Sequence, residues 1–299
     1  MNLTENILPS SIAPATLLLP GPDLFGVRAA RLRHLAHGHG LAPWLNGLAD
    51  VCDAQQMALN TLPALIGLPS GDAAGPPLAG HQAAALWQAL PAVVHQLFTA
   101  SRGLTIPPAR EPGAEALQRM AQDGLKMAVG EVATGQRDAA SILVAAALQV
   151  VWTAAARTIA LSAMTPLQDL APCPCCGSAP VGAVVMAGEG KGGLRYLECS
   201  LCATRWNAVR ARCTLCEEGS VVQYLGLEGA SGAVQAEACD HCGGYIKTFF
   251  QDKDIQIDPL ADDLGSLTLD ILVGEQGYAR AAPNLFLQAA EPVRDMTRD

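Results

Sequence analysis

The sequence has few aromatic residues, which make up 4% of its 299 positions, although half of its residues are hydrophobic. Much of this hydrophobic content is alanine. Strands of β-sandwiches are enriched in aromatic and β-branched side chains, whereas small side chains allow helices to pack closely. The composition therefore disfavours a sandwich of β-sheets and favours a helical core.

Basic residues are also scarce: 19 Lys and Arg stand against 28 Asp and Glu, which gives a formal net charge of −9. Proteins that bind nucleic acid need a basic surface to contact the phosphates. The acidic excess therefore disfavours a general affinity for nucleic acid, and we expect no nucleic-acid partner.

The sequence lacks an apolar run long enough to cross a membrane. The longest run, 142–156, contains Gln149 and is followed by Arg157, whereas a spanning helix needs about 20 predominantly apolar residues. Residues 16–20 are too short and too closely bounded by proline to form the core of a secretion signal. We therefore expect a cytoplasmic protein without membrane insertion, and a buried helix over the apolar run.

Most of the cysteines are regularly spaced along the chain. Eight of the ten cysteines form four C-x-x-C pairs, and the first two pairs recur after 40 residues as the last two. Two intervening residues let both sulfurs of a pair face one ion, and a following glycine helps the turn because it tolerates positive φ. The eight candidate metal ligands are Cys173, Cys176, Cys199, Cys202, Cys213, Cys216, Cys239 and Cys242.

Disulfides are the alternative to metal binding, but they are rare in the reducing compartment that we expect for this chain. If metal is bound, the repeat favours neighbouring pairs sharing one ion, with interleaved pairs as the alternative. Four thiolates suit zinc and also a single rubredoxin-type iron. Either ion would have a complete shell, which argues against hydrolytic metal catalysis.

Three further residues are near or outside this pattern. Cys175 lies between two predicted ligands but lacks the two-residue spacing, so we expect a thiol that binds no metal. His241 lies inside the last pair, where side chains usually point away from the ion. Cys52 lies in a predicted helix and is expected to be a small core residue.

The chain divides into four predicted parts. Residues 1–165 form an all-α helical domain, 166–212 and 213–258 form two tandem rubredoxin-like or zinc-ribbon subdomains with four paired cysteines each, and 259–299 carry a C-terminal helix and tail. Within the helical domain, periodicity and helix-stop residues predict five helices: 24–36, 43–65, 81–101, 114–134 and 138–164.

Each predicted rubredoxin-like subdomain contains a β-hairpin between its two cysteine pairs. Short β-prone runs at 181–186 and 194–198 flank a glycine-rich turn, and 221–227 and 234–238 do the same in the second copy. A last strand is predicted at 245–251 and a helix at 260–279. The acidic stretch 252–275 is expected to be a solvated face or a docking surface for a basic peptide.

The first subdomain also carries a cluster of basic residues with aromatic residues among them. Such a cluster suits nucleic acid or an acidic protein surface, but intramolecular salt bridges are the favoured interpretation. Its members are Lys191, Arg195, Arg205, Arg210 and Arg212.

The segments CPCCGSAPVGAVV, LRYLECSLCATRWNAVRARCTLC, AEACDHCGGYIKTFFQDKD and ADDLGSLTLDILVGEQGYAR resemble the formate dehydrogenase accessory protein family FdhE. This resemblance covers about residues 172–281. It implies a helical domain joined to two rubredoxin-like subdomains, with the eight paired cysteines as metal ligands. It also implies a cytoplasmic, non-enzymatic role in maturing respiratory molybdenum- or tungsten-dependent formate dehydrogenases, through binding of the catalytic subunit.

The sequence therefore agrees with three functions, in decreasing order of support. The favoured one is an assembly factor that recognises an immature formate dehydrogenase subunit. The second is a rubredoxin-like one-electron redox protein, because all-sulfur ligation also accommodates iron. The third and least favoured is a nucleic-acid-binding zinc-ribbon protein, which would use the basic cluster of the first subdomain.

Overall fold

The computed structural model describes ten segments of the chain: 15–66, 68, 75–79, 84–102, 109–131, 138–159, 172–188, 193–210, 212–219 and 222–287. Within these segments there are seven α-helices: α1 Leu24–Ala36, α2 Ala42–Thr61, α3 Ala84–Ser101, α4 Ala114–Ala128, α5 Ala139–Ala156, α6 Pro259–Leu264 and α7 Leu267–Glu275. The same segments contain eight strands: β1 Leu17–Leu18, β2 Pro180–Val185, β3 Arg195–Cys199, β4 Arg205–Asn207, β5 Val222–Leu225, β6 Val234–Cys239, β7 Gly244–Phe250 and β8 Ala279–Arg280.

Helix α5 lies at the centre of the helical part and contacts α2, α3 and α4. It begins with a capping box, in which Asp138 and Ser141 each accept a hydrogen bond from the other's backbone N–H. Its alanine-rich surface lets three helices approach closely, and Trp152 is fully buried among them. The predicted buried helix is therefore confirmed.

By length and hydropathy, α5 is the one helix among the described residues that would be able to cross a membrane. In the structure 78% of the helix is buried inside the molecule. Core helices of soluble proteins meet the same criterion, so this helix is weak evidence for a membrane span.

The helices begin close to the predicted residues, but several end earlier. Helix α1 matches its predicted range of 24–36, and Asp23, the residue before it, makes no side-chain capping bond. Helix α4 ends at Ala128 instead of residue 134, because Gly130 turns the chain with a φ of +87°. Helix α5 ends at Ala156 instead of residue 164. The predicted start of α3 at His81 lies outside the described residues.

All eight strands belong to one sheet with the order β1-β4-β3-β2-β7-β6-β5, and β8 pairs with β7. The two predicted hairpins are present as β2–β3 and β5–β6, both antiparallel. Strands β2 and β7 are parallel neighbours, with Ala183 opposite Thr248 and Val185 opposite Phe250. The two cysteine repeats therefore share a continuous sheet, which the sequence did not predict.

Three short strands were also not predicted, namely β1, β4 and β8. Strand β1 lies within the short proline-bounded run at 16–20, and Leu17 pairs with Trp206 of β4. Strand β8 extends the sheet beside β7. The predicted boundary between helical domain and first subdomain, at residue 166, lies outside the described residues, so the domain division stays a prediction.

The predicted C-terminal helix is two helices, α6 and α7, separated by Gly265 and Ser266. Both interpretations of the acidic stretch are wrong for its central carboxylates. Asp258, Asp262 and Asp263 are buried, so they form neither a solvated face nor a docking surface. Burying a carboxylate is costly unless it is paired, and each of these three has a basic partner within the chain.

These pairs connect the helical part to the sheet and to α6. Arg28 of α1 donates to Asp258 at 3.1 Å and to Glu198 of β3 at 3.3 Å. Arg31 donates twice to Asp262, at 2.9 and 2.6 Å. The face of α1 that carries Arg28 and Arg31 is therefore an internal contact surface.

Candidate metal centre

The first two cysteine pairs converge on one point, which we call the first centre (Cys173, Cys176, Cys199 and Cys202). The Cys173 pair lies in the loop before β2, whereas Cys199 ends β3 and Cys202 lies in the turn towards β4. Their four Sγ atoms all lie within 4.8 Å of one another. Cys176 Sγ is 3.4 Å from Cys199 Sγ and 3.5 Å from Cys202 Sγ.

The last two pairs converge in the same way on the second centre (Cys213, Cys216, Cys239 and Cys242), again with all four Sγ atoms within 4.8 Å. The Sγ atoms of Cys213 and Cys242 are 3.8 Å apart, as are those of Cys216 and Cys239. Neighbouring pairs thus meet in both halves of the repeat, and the interleaved arrangement is not found.

Each C-x-x-C turn is followed by a residue with left-handed backbone. Gly177 and Gly243 have φ values of +77° and +69°, and Ala203 and Glu217 take the equivalent positions with +55° and +63°. A side chain makes this conformation unfavourable by about 1–2 kcal/mol. The turn geometry is therefore held at Ala203 and Glu217 although glycine is absent there.

Backbone N–H groups point at the sulfurs, as the tight turns require. The N–H groups of Leu201 and Cys202 each donate to Cys199 Sγ at 3.4 Å. In the second centre the Leu215 N–H donates to Cys213 Sγ at the same distance. Such bonds stabilise thiolates, which are the metal-binding form of cysteine.

The spacing fits a tetrahedral ion. With metal–sulfur bonds of about 2.3 Å, two sulfurs of a tetrahedral site lie about 3.8 Å apart. This is close to the sulfur–sulfur distances found. A disulfide needs sulfurs about 2.05 Å apart, and all ten cysteines, each of them described, are free of disulfides. Each centre can therefore hold one metal ion.

Burial makes a cation favourable in the first centre. Burial raises the pKa of the Cys173 and Cys199 thiols, so an unpaired thiolate at either position is costly. A bound cation would offset that cost by stabilising the ionised sulfurs. The donor set, its distances and its surroundings thus agree with a closed all-sulfur site.

The first centre is built into the interface with the helices. The Ala179 N–H donates to the Ala128 carbonyl at the end of α4 at 2.7 Å. Gln149 of α5 donates to the Ser200 carbonyl at 3.0 Å, inside the turn between Cys199 and Cys202. Gln149 interrupts the predicted apolar run because it reaches a buried carbonyl, and this role was not predicted.

Three further residues, Cys175, Cys52 and His241, lie outside both centres. Cys175 is fully buried, but its sulfur is not among those of the first centre; hydrogen bonding to Cys202 and then burial raise its pKa. Burial raises the pKa of Cys52 to about 12, as expected for a core thiol. His241 is exposed and does not belong to the second centre.

The basic cluster of the first subdomain is partly used within the molecule. Arg195 is buried and donates to Glu237 at 2.9 Å, and Arg205 donates to Glu198 at 2.7 Å. The favoured interpretation, intramolecular ion pairing, is confirmed for these two arginines. Lys191 lies outside the described residues.

Three family models together match nearly the whole of this architecture. "FdhE, N-terminal" matches residues 13–169, "FdhE, central domain" matches 172–210 and "FdhE, C-terminal domain" matches 211–287. The first covers more than half of the chain, and the other two contain one cysteine centre each. The chain belongs to the FdhE family.

Individual FdhE proteins are similar over about nine-tenths of this chain or more. A protein named "Protein FdhE homolog" from Stutzerimonas stutzeri is 36% identical over 281 residues, covering 90% of this chain and 91% of the relative. One of the same name from Pseudomonas aeruginosa is 37% identical over 291 residues, covering 92% and 93%. The crystal structure of the FdhE protein from Pseudomonas aeruginosa has a TM-score of 0.73 and 33% identity, covering 91% of this chain and 99% of that one.

Proposed function

We propose that this chain is a cytoplasmic accessory protein for the maturation of respiratory formate dehydrogenase, and that it binds the catalytic subunit of that enzyme. The observation that carries the proposal is membership of the FdhE family along almost the entire chain. The resemblance of the cysteine segments to formate dehydrogenase accessory proteins supplies the partner. The role is non-enzymatic: the chain recognises an immature subunit and does no chemistry on it.

The two centres would each hold one ion, iron or zinc, with the eight paired cysteines as ligands. Four protein ligands complete a tetrahedral shell, so no position is left for water or substrate. Such sites contribute about 10–16 kcal/mol of binding free energy to folding. The ions would therefore close the hairpins and hold the sheet in the form that the partner recognises.

A co-purification experiment tests the partner. The full chain carrying an affinity tag should retain the catalytic subunit of formate dehydrogenase from anaerobically grown cells. A matched control is the same tagged chain after metal removal and isolation under reducing conditions, which should retain less of the subunit. Absence of the subunit from the metal-loaded chain would contradict the proposal.

A deletion strain tests the role. Removing the gene should abolish formate dehydrogenase activity while the catalytic subunit is still synthesised, because the proposed defect lies in maturation. Restoring the intact chain should restore the activity. Unchanged activity in the deletion strain would contradict an accessory role.

A second candidate is a rubredoxin-like one-electron redox protein. It is supported by the all-sulfur donor sets and by Cys242, which is exposed and so brings one sulfur of the second centre to the surface. Metal analysis of anaerobically purified protein separates the two roles. Zinc in both centres would exclude electron transfer by the metal, whereas iron that is reversibly reduced would support it.

A nucleic-acid-binding zinc ribbon has less support, because Arg195 and Arg205 pair with carboxylates inside the molecule. Binding to DNA or RNA at low salt, where phosphate contacts are strongest, would support nucleic-acid binding.

A further inference from the structure

The two centres have the same ligands and spacing but different surroundings. All four cysteines of the first centre are buried, and they belong to the main hydrophobic core together with α5 and Leu201. In the second centre Cys242 is exposed and Cys216 is partly exposed. Beside it Leu215 is 38% exposed, and none of the four cysteines joins a hydrophobic cluster of the described residues.

This difference controls how a bound ion can leave. A competing ligand removes a metal by binding to it stepwise while the protein sulfurs detach, so it must reach the ion between the sulfurs. At the first centre, access requires opening of the core between the helices and the sheet. At the second centre it requires only a local movement of the 239–242 turn, and local openings cost far less free energy than global unfolding.

Hydrogen bonds among Asp240, Gln223 and Tyr278, which we call the polar clasp, hold that turn in place. Asp240, between Cys239 and Cys242, accepts hydrogen bonds from Gln223 of β5 at 2.9 Å and from the Tyr278 hydroxyl. Gln223 also contacts the Tyr278 hydroxyl at 2.5 Å. All of these bonds are exposed to solvent, where water competes for the same donors and acceptors. The clasp therefore restrains the turn weakly.

We propose that the second centre is an exchangeable metal site, which gives up its ion to thiol or chelating ligands in solution while the first centre keeps its own. This inference rests on the proposed loading of both centres. It assigns different roles to the repeats: the first is part of the folded core, and the second is a surface site open to metal-binding ligands.

Timed chelation of the anaerobically purified full chain tests this inference. EDTA is added in excess, samples are desalted at intervals, and the ions that remain per chain are counted by elemental analysis. The number of ions per chain before EDTA is added tests the proposed loading separately, and we expect two. Release should then have two phases of one ion each, and the first should be at least about tenfold faster than the second.

Thiol labelling assigns the phases without any substitution. Iodoacetamide is added with the chelator, and mass spectrometry follows the modified cysteines. Modification of Cys213, Cys216, Cys239 and Cys242 should accompany the fast phase, while the first-centre thiols stay protected. A single release rate for both ions, or early modification of the first centre, would overturn the inference.

Two matched variants examine the clasp. Tyr278→Phe removes the hydroxyl that holds Asp240 and should speed the fast phase several-fold without changing the slow one. Tyr224→Phe removes a different tyrosine hydroxyl, on strand β5 next to Gln223; this hydroxyl contacts Glu237 and not the turn, so the variant should change neither phase. Equal effects of both variants would contradict a specific role for the clasp.

The starting metal count separates failure of the loading from failure of the inference. If the chain holds one ion at the start, with second-centre thiols modified and first-centre thiols protected, the second centre loses its ion more readily than the first, which supports the inference. The opposite labelling pattern overturns it. No ion at the start overturns the loading and the exchange together.

Discussion

Arg28 of α1 and Glu198 of β3 form a buried ion pair across 170 residues of sequence, with 3.3 Å between Nη2 and Oε1. Both side chains are at most 2% exposed. Asp258 and Arg205 complete the group, so the carboxylates and guanidinium groups alternate. Through this group the helical part, the sheet and the segment entering α6 are joined by charge as well as by apolar contact.

Replacing Arg28 with Ala should destabilise the protein by about 3–5 kcal/mol, because Glu198 and Asp258 would lose a buried partner. The free energy of unfolding in urea measures the effect. Arg33→Ala is the matched control: Arg33 lies on the same helix, is 43% exposed and pairs with Asp50 and Asp53 at the surface. Its loss should cost at most about 1 kcal/mol. Similar costs for the two variants would contradict the proposed difference in burial.

Gly182→Ala should disrupt the junction between the two cysteine repeats. A Cβ at residue 182 would lie 2.6 Å from the Phe249 ring and 2.8 Å from the Lys247 carbonyl, where β2 runs parallel to β7. Overpacking of this kind costs about 1–3 kcal/mol.

Thermal unfolding of the purified variants measures this cost. Gly274→Ala is the control, because a Cβ there meets nothing within 4 Å and the residue lies in α7. Alanine should leave that helix as stable or more stable. If Gly182→Ala unfolds at the same temperature as the unchanged chain, the close contact of β2 and β7 is wrong.

Cys175 and Cys176 are adjacent, yet their replacement should have different effects on metal content. Cys176→Ala removes a predicted ligand, so the first centre should lose its ion and the count should fall by one per chain. Cys175→Ala should keep both ions and cost about 1 kcal/mol from a small cavity. Elemental analysis of both variants decides the point. Loss of an ion from Cys175→Ala would make Cys175 a ligand.

Asp262 should contribute to the free energy of unfolding at low pH, and this contribution should fall as pH rises. Burial raises the pKa of this carboxyl from 3.8 to about 6, despite its hydrogen bonds from Arg31. A folded-state pKa above the unfolded value means that the folded protein holds the proton more tightly. The contribution is therefore complete below pH 3.8 and is lost as pH rises through about 6.

Comparison with Asp262→Asn isolates this term, because both chains carry the same cysteines. The stability of the unchanged chain relative to the variant should be greater at pH 4 than at pH 7. Urea unfolding at several pH values measures the difference. A difference that is constant with pH would contradict the raised pKa.

Local patterns predicted much of the site and of the helices. The two-residue spacing of each cysteine pair and the forty-residue repeat identified which sulfurs converge, because both are properties of short segments. The helix over 24–36 and the buried helix α5 followed from periodicity in the same way. Helix ends were less accurate, since residues such as Gly130 end a helix through a conformation that periodicity does not show.

Long-range relationships were not predicted. The sequence around Arg28 and Arg31 does not indicate that they are buried, because their carboxylate partners lie as far as 231 residues away. The acidic stretch was misinterpreted for the same reason. The parallel pairing of β2 with β7 and the unequal exposure of the two centres also depend on how distant segments meet. The repeat made the two centres look equivalent, and only their different surroundings distinguish them.

X-ray absorption at the metal edge, combined with elemental analysis of the anaerobically purified full chain, is the most direct test of the two four-sulfur centres. We expect two ions per chain, zinc or iron, each with four sulfur neighbours at about 2.3 Å. Sulfurs bonded to one another, or an ion with oxygen or nitrogen in its shell, would contradict the closed centres on which the proposed function depends.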